Sequence, residues 1–284
     1  MEISFIRLDD HVARFILSGT TPAFANSFRR AMMSEVPTLA IEDVMIYDNN
    51  SALFDEILAH RLGLIPLKTD LTAYVRRDEC SCDGEGCSSC QAVYTLSVEG
   101  VEGGKMVYSS DLIPQDPDTI PVDGNIPLVK LEVDQKVVLE ARAELNTGKE
   151  HAKWESTLAC GYKSYPIIKV DERCDACGMC VEECPKGVLV LKPGSKSVEV
   201  ADGKLESCSL CKLCERACIA GGIGNESAIH IISDNTRYIF VVESDGSLPV
   251  NAIMERAFLY IKEKSESLMD VLSDISGRIV NEES

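Results

Sequence analysis

The chain has 284 residues, enough for two domains or three small ones. It carries 46 acidic against 28 basic side chains, a formal net charge of -18, so its general surface repels a phosphate backbone and no direct nucleic-acid contact is expected. The start, Met1-Glu2-Ile3-Ser4, runs straight into an amphipathic strand, and no apolar run approaches the ~18 residues of a membrane span. The 13 cysteines are therefore expected as reduced ligands in a cytoplasmic protein, with no membrane contact.

Residues 1–17 alternate apolar and polar side chains as a hairpin with Asp9-Asp10 at its turn. Thr21 then offers a hydroxyl N-cap and Pro22 a pre-set first helical residue. Phe24, Phe28, Ala31, Met32 and Glu35 follow at helical spacing, and Pro37 ends the helix. Such a stripe is most often core, yet Arg29-Arg30 beside Met32-Met33 also suit an interface. Residues 39–47 alternate as a strand. A second short helix is expected from Ser51, with Phe54, Ile57, Leu58, Arg61 and Leu62 on its apolar face and Gly63 as its C′ residue.

A first cysteine group follows: Cys80-x-Cys82-x4-Cys87-x2-Cys90, with Gly84 and Gly86 to let the loop wrap an ion. Four thiolates on one short loop suit a tetrahedral Zn2+ that is structural, because no position stays open for water. A reduced, metal-free loop is the alternative. Tyr94, Leu96 and Val98 alternate as a strand, residues 107–112 are a further candidate, and 116–127 hold three prolines in an extended connection. Val137, Leu139, Ala141, Ala143 and Leu145 alternate again. Trp154 is the single tryptophan, and Cys160, outside every group, reads as a small buried hydrophobe.

The second group is C-D-A-C-G-M-C-V-E-E-C-P followed by C-S-L-C-K-L-C-E-R-A-C, each half C-x2-C-x2-C-x3-C. This is the ligand pattern of a bacterial-type ferredoxin with two [4Fe–4S] clusters, in which the fourth cysteine serves the other cluster. One cluster is thereby assigned Cys174, Cys177, Cys180 and Cys218, and the other Cys208, Cys211, Cys214 and Cys184. Zinc prefers two separated C-x2-C pairs and fits this repeat poorly. Pro185 follows Cys184 as the motif expects, but Ile219 follows Cys218. Residues 188–191 and 198–200 read as the outer strands of that segment, and 228–232 and 238–243 as two later strands. Asp245-Gly246 is a turn and Pro249 opens the last helix. Val250, Met254, Ala257, Ile261, Leu268, Leu272 and Ile275 form its stripe, which runs roughly 40 Å and outreaches a small domain.

Three blocks carry a family resemblance: F-A-N-S-F-R-R-A-M-M-S-E-V-P-T-L-A-I from Phe24, L-F-D-E-I-L-A-H-R-L-G-L-I-P-L from Leu53, and G-K-E-H-A-K-W from Gly148. Together they resemble the D subunit of archaeal RNA polymerase, related to the third-largest subunit of the eukaryotic enzyme and to the bacterial alpha subunit. The resemblance implies an α+β fold. Its discontinuous, alpha-subunit-like dimerisation domain (1–45 and 225–284) would carry a β-rich insert with the zinc loop (46–166) and a ferredoxin-like iron–sulfur insert (167–224). It implies a non-catalytic assembly subunit that pairs with the small L subunit through the helices of 22–35 and 249–276 and then docks the large subunits. It also favours zinc in the Cys80 loop, and contact with a large subunit for Lys149, His151 and Lys153. No dense Asp motif for two Mg2+ ions is present. The rival is a ferredoxin-type electron-transfer subunit of an oxidoreductase, against which no dinucleotide fingerprint is found; Gly221-Gly222-Ile223-Gly224 is a weak match.

Overall fold

The computed structural model describes residues 1–221 and 226–282. Its elements in chain order are β1 (Glu2–Leu8), β2 (Val12–Ser18), α1 (Pro22–Ser34), β3 (Pro37–Asn49), α2 (Asp55–Gly63), β4 (Gln91–Glu99), β5 (Lys105–Tyr108), β6 (Ile113–Pro114), β7 (Pro127–Leu131), β8 (Lys136–Thr147), β9 (Thr157–Val170), α3 (Met179–Glu182), β10 (Leu189–Val190), β11 (Glu199–Val200), α4 (Leu213–Gly221), β12 (Ile229–Ser244) and α5 (Val250–Glu282). The fold is mixed α+β, in two compact units. One holds residues 1–6, 14–25 and 162–240; the other holds 7–13, 26–161 and the chain from 241 onward.

The first unit contains most of a four-stranded sheet of order β1-β2-β12-β9. Alternation along β2 buries Ala13, Phe15 and Leu17 on one face. Phe15 stacks on Phe240 of β12 with centroids 5.1 Å apart, and Tyr162 of β9 stacks on the same ring at 5.1 Å. Such pairs add about 0.5–1.5 kcal/mol beyond their area burial. The two strands expected at 228–232 and 238–243 are one continuous strand. The polar run between them stays extended because Thr236 accepts the Thr20 N–H at 3.2 Å, while Asp234 takes the Thr236 N–H and the Arg237 guanidinium. Beyond β9 lies a small apolar cluster of Cys180, Leu189, Val198, Cys214, Ile229 and Ile231. There β10 and β11 pair antiparallel, Leu189 opposite Val200.

The second unit is built on the sheet β3-β8-β4-β6, with β5 and β7 as a separate ribbon. Strand β8 alternates without a break and buries Val137, Leu139, Ala141, Ala143 and Leu145 against Tyr94, Leu96 and Val98 of β4. Helix α2 adds Leu58 and Leu62 to that core, worth about 1.5–3 kcal/mol each. It begins at Asp55 rather than Ser51. The Asn49 side chain accepts from Ser51 and donates to the Leu53 carbonyl and to Asp55, holding 49–54 in a turn. Phe54 and Ile57, expected on the buried face, are 76% and 45% exposed. Gly63 is the last helical residue and not a left-handed cap; a Cβ there would meet the Ile41 carbonyl at 3.4 Å, an ordinary van der Waals contact. The strand expected over 107–112 stops at Tyr108, where a 3-10 turn takes over.

Helix α1 starts as its sequence dictates, with the Phe24 N–H donating to Thr21 Oγ1 at 3.3 Å. Further along, in the second unit, Phe28 stacks on Phe258 of α5 with centroids 3.9 Å apart. Among the described residues no helix is long and apolar enough to cross a membrane. Residues 222–224 of the glycine-rich stretch lie outside the described residues.

Candidate metal centres and the exposed helix

The Cys80 loop is tied to its own sheet by Arg77, whose guanidinium donates to the Gly84 carbonyl and to Glu144 of β8, both at 2.7 Å. Asp83, Gly84 and Gly86 take the left-handed conformation at φ 53, 81 and 95°. Only glycine adopts it freely, which is what two glycines in this loop anticipate. The Sγ atoms of Cys80 and Cys87 are 3.6 Å apart, those of Cys82 and Cys90 3.7 Å, and those of Cys87 and Cys90 3.9 Å. A tetrahedral ion with 2.3 Å bonds to sulfur requires edges of about 3.8 Å. A disulfide would need about 2.05 Å, and all four thiols are free. The four could hold one metal ion.

Their protonation is uneven. Gly86 N–H and the Cys80 thiol hold Cys82 down at about 7. Cys87 is lowered by the N–H of Ser89. Burial pushes Cys90 up to about 12. Metal loading must therefore displace a proton from Cys90.

The eight later cysteines are arranged differently. Among the described residues, only the Cys80 group gathers three or more ligand atoms within 4.8 Å of one another. The halves of the repeat nevertheless share one backbone path. Ala176 and Leu210 are left-handed at φ 57 and 59°, and Gly178 and Lys212 at 82 and 60°. Such residues other than glycine cost roughly 1–2 kcal/mol each, so something must hold them there. In each half the second cysteine, Cys177 or Cys211, is exposed and the third, Cys180 or Cys214, is buried. Each fourth cysteine accepts a backbone N–H: Cys184 from Val188 at 3.4 Å and Cys218 from Ala228 at 3.3 Å.

The thiols sort into two neighbourhoods. Cys180 is pushed up to about 11 by burial, and its neighbouring thiols are Cys218, Cys174 and Cys177. Burial pushes Cys214 to about 11 as well, and its neighbouring thiols are Cys208, Cys184 and Cys211. Cys184, Cys208, Cys211 and Cys214 line one cavity together with Lys186, Lys212 and Ile231. Each neighbourhood thus draws one thiol from the opposite half of the repeat. Cys160 stands apart, donating to the Arg29 carbonyl at 3.7 Å, with its thiol pushed up to about 12 by burial.

Helix α5 changes character along its 33 residues. Val250, Ile253, Met254 and Ala257 are buried, and Tyr260 bonds Glu35 just past α1. From there the stripe is bare: Leu268, Leu272 and Ile275 are 59%, 56% and 48% exposed. The basic block before β9 is divided. Lys149 and His151 are exposed. Lys153 instead donates to the Ile41 carbonyl at 2.9 Å, pairs with Glu42 and lies 4.3 Å over the Trp154 ring. No local signal marks the Ile41 and Glu42 contacts of Lys153, because both partners lie more than a hundred residues away in sequence.

The family model described as the RNA polymerase Rpb3/Rpb11 dimerisation domain matches residues 14–265. A protein of Methanosarcina acetivorans is 44% identical over 277 residues, covering 97% of this chain and 99% of the relative. One of Methanosarcina mazei is 45% identical over 276 residues, with 97% and 99% covered. One of Archaeoglobus fulgidus is 40% identical over 274 residues, with 96% and 98% covered. All three are described as DNA-directed RNA polymerase subunit Rpo3. The electron-transfer alternative gains no support from these relatives. The family model spans most of the chain and the relatives cover nearly all of it, and so the chain belongs to the RNA polymerase Rpb3/Rpb11 dimerisation family, among the archaeal Rpo3 subunits of DNA-directed RNA polymerase.

Proposed function

We propose that this chain is an assembly subunit of DNA-directed RNA polymerase with no catalytic residues of its own. It pairs with an L/Rpb11-like subunit through α1 and α5, and the pair docks the large subunits. The observation that carries this reading is the bare stripe of Leu268, Leu272 and Ile275, continuous with the buried Val250–Ala257 face. A long amphipathic helix half covered by its own chain needs a second chain for the rest. Within this reading, residues 1–45 and 225–284 form the dimerisation domain, 46–166 the β-rich insert and 167–224 the ferredoxin-like insert. The test is the affinity of the L268D/L272D double variant for the purified small partner. Burial of two leucines is worth about 1.5–3 kcal/mol each, so pairing should weaken on the order of a thousandfold while the fold is kept. Unchanged pairing would remove the stripe from the interface.

The cysteines extend the proposal. Cys80, Cys82, Cys87 and Cys90 hold one structural Zn2+, a reading supported by edges that match a tetrahedron of thiolates. Cys174, Cys177, Cys180 and Cys218 hold one [4Fe–4S] cluster, and Cys208, Cys211, Cys214 and Cys184 the other. Supporting this are the wider spacing, the repeated left-handed turns and the N–H donated to each fourth sulfur. When bound, such a cluster cross-links the two halves of the repeat and can store one electron. The chain's part is to stitch a segment too small for an ample core and so to stabilise the insert during assembly.

A further inference from the structure

Two half-buried cations converge on the backbone just ahead of Cys208. Lys163, on β9, donates through Nζ to the carbonyls of Glu206 at 2.7 Å and Cys208 at 2.6 Å. Arg14, on β2, donates through Nη2 to the same Glu206 carbonyl at 3.3 Å, and its Nε is buried without a hydrogen-bond partner. Carbonyls are neutral, and among the described residues neither cation has a carboxylate at ion-pair distance. No ion pair cancels either charge, while burial and the nearby Arg14 make Lys163 a weaker base than usual. Lys186 also lines the cavity of Cys184, Cys208, Cys211 and Cys214; Lys212 does too, partly offset by Glu215 at 3.7 Å.

The Cys174 neighbourhood has the opposite balance. Its nearest guanidinium, Arg173, is matched by Asp171 at 2.6 Å and Glu226 at 2.7 Å. The Asp175 carboxylate accepts the Cys177 N–H at 3.2 Å. The halves share one backbone N–H to each fourth sulfur, one buried third cysteine and one exposed second cysteine, and the N–H of Leu213 further lowers Cys211. Local charge differs between the two neighbourhoods and, like the N–H donated to Cys211, favours the reduced form in the Cys208 group.

We propose that Lys163 and Arg14 are positioning residues that pin the Cys208 loop to the sheet and make the Cys184, Cys208, Cys211 and Cys214 group the first to take up an electron. The inference rests on the iron–sulfur reading above. The step is a one-electron transfer from a low-potential reductant. No bond forms or breaks, no proton moves, and the loaded group becomes more negative by one unit, which fixed cations stabilise.

The test is a potentiometric titration of the anaerobically purified full chain, read by electron paramagnetic resonance. Two reduction steps are expected. Cys211→Ser should remove the higher step and Cys177→Ser the lower. Lys163→Gln should lower only the higher step, on the order of tenfold in the reduction equilibrium, about 59 mV for one electron. Lys163→Arg should restore it, and Arg14→Gln should move the same step less. Iron content and far-ultraviolet circular dichroism report whether each variant is folded and loaded. Coincident steps, a Lys163→Gln shift in both steps or in neither, or no rescue by arginine would overturn the assignment. Absence of iron and of cluster absorbance in the wild-type chain would overturn the underlying iron–sulfur reading instead.

Discussion

In the loop of residues 80–90 the thiols already stand near the corners of a tetrahedron, while in the segment of residues 174–218 they are spread into two looser groups, each drawing on both ends of the segment. The first arrangement needs little chain to close, and its glycines make the turn at small cost. The second brings Cys174 and Cys218 together across a long stretch, with Ala176, Leu210 and Lys212 held in conformations their side chains resist. On the function proposed above, one site is prepared by its backbone and the other is held together by what its ligands share. Loss of metal should accordingly stay local in the first and spread in the second.

The sharpest way to break this contrast is to remove one ligand from each region. Cys177→Ser or Cys211→Ser should halve the iron and loosen residues 171–228 by about 4 kcal/mol, the chain entropy of a cross-link over that length. Amide hydrogen exchange would show the loss spread through β10, β11 and α4; protection unchanged there would mean the segment stands without its ligands. Cys87→Ser should cost about 3 kcal/mol, confined to the loop, with iron unchanged. Elemental analysis of the two variants decides whether the sites are independent, and a loss of iron in Cys87→Ser would join them.

Acid should separate the regions further. Because burial raises Cys90, its thiol carries a proton at neutral pH that the ion must expel, so affinity rises with pH. Apparent Zn2+ affinity should fall about tenfold per pH unit for each proton released, measured by chelator competition between pH 8 and pH 6. A flat profile would mean that the thiols are ionised before the metal arrives. The smallest effect concerns strain. Lys212 stands where the first half of the repeat has Gly178, so Lys212→Gly should stabilise the metal-free chain by about 1 kcal/mol in urea unfolding. A destabilised variant would show that the left-handed turn is not under strain.

Much of this was legible in the residues. The Asp9-Asp10 turn, the Thr21 cap, the alternation of β4 and β8 and the two cysteine spacings all act through neighbours a few positions away. The fold class and the family followed from such local signals and from three ordered blocks. What failed depended on distant or competing contacts. Asn49 turns the chain and delays α2 to Asp55, leaving Phe54 outside. Thr20 keeps β12 continuous where its polar run suggested a break. Lys163 and Arg14 gave no signal at all, since the carbonyls they hold lie 43 and 192 residues away for the Glu206 contacts.

The bare stripe of Leu268, Leu272 and Ile275 on α5 has a consequence in time as well as in space. A ribosome releases the chain from its first residue to its last, so every cysteine emerges before Leu268, Leu272 and Ile275 exist. On the function proposed above, each molecule has the opportunity to load metal before it has the means to pair. The order of translation lets the chain present this apolar stripe only after its cysteine segments have been made.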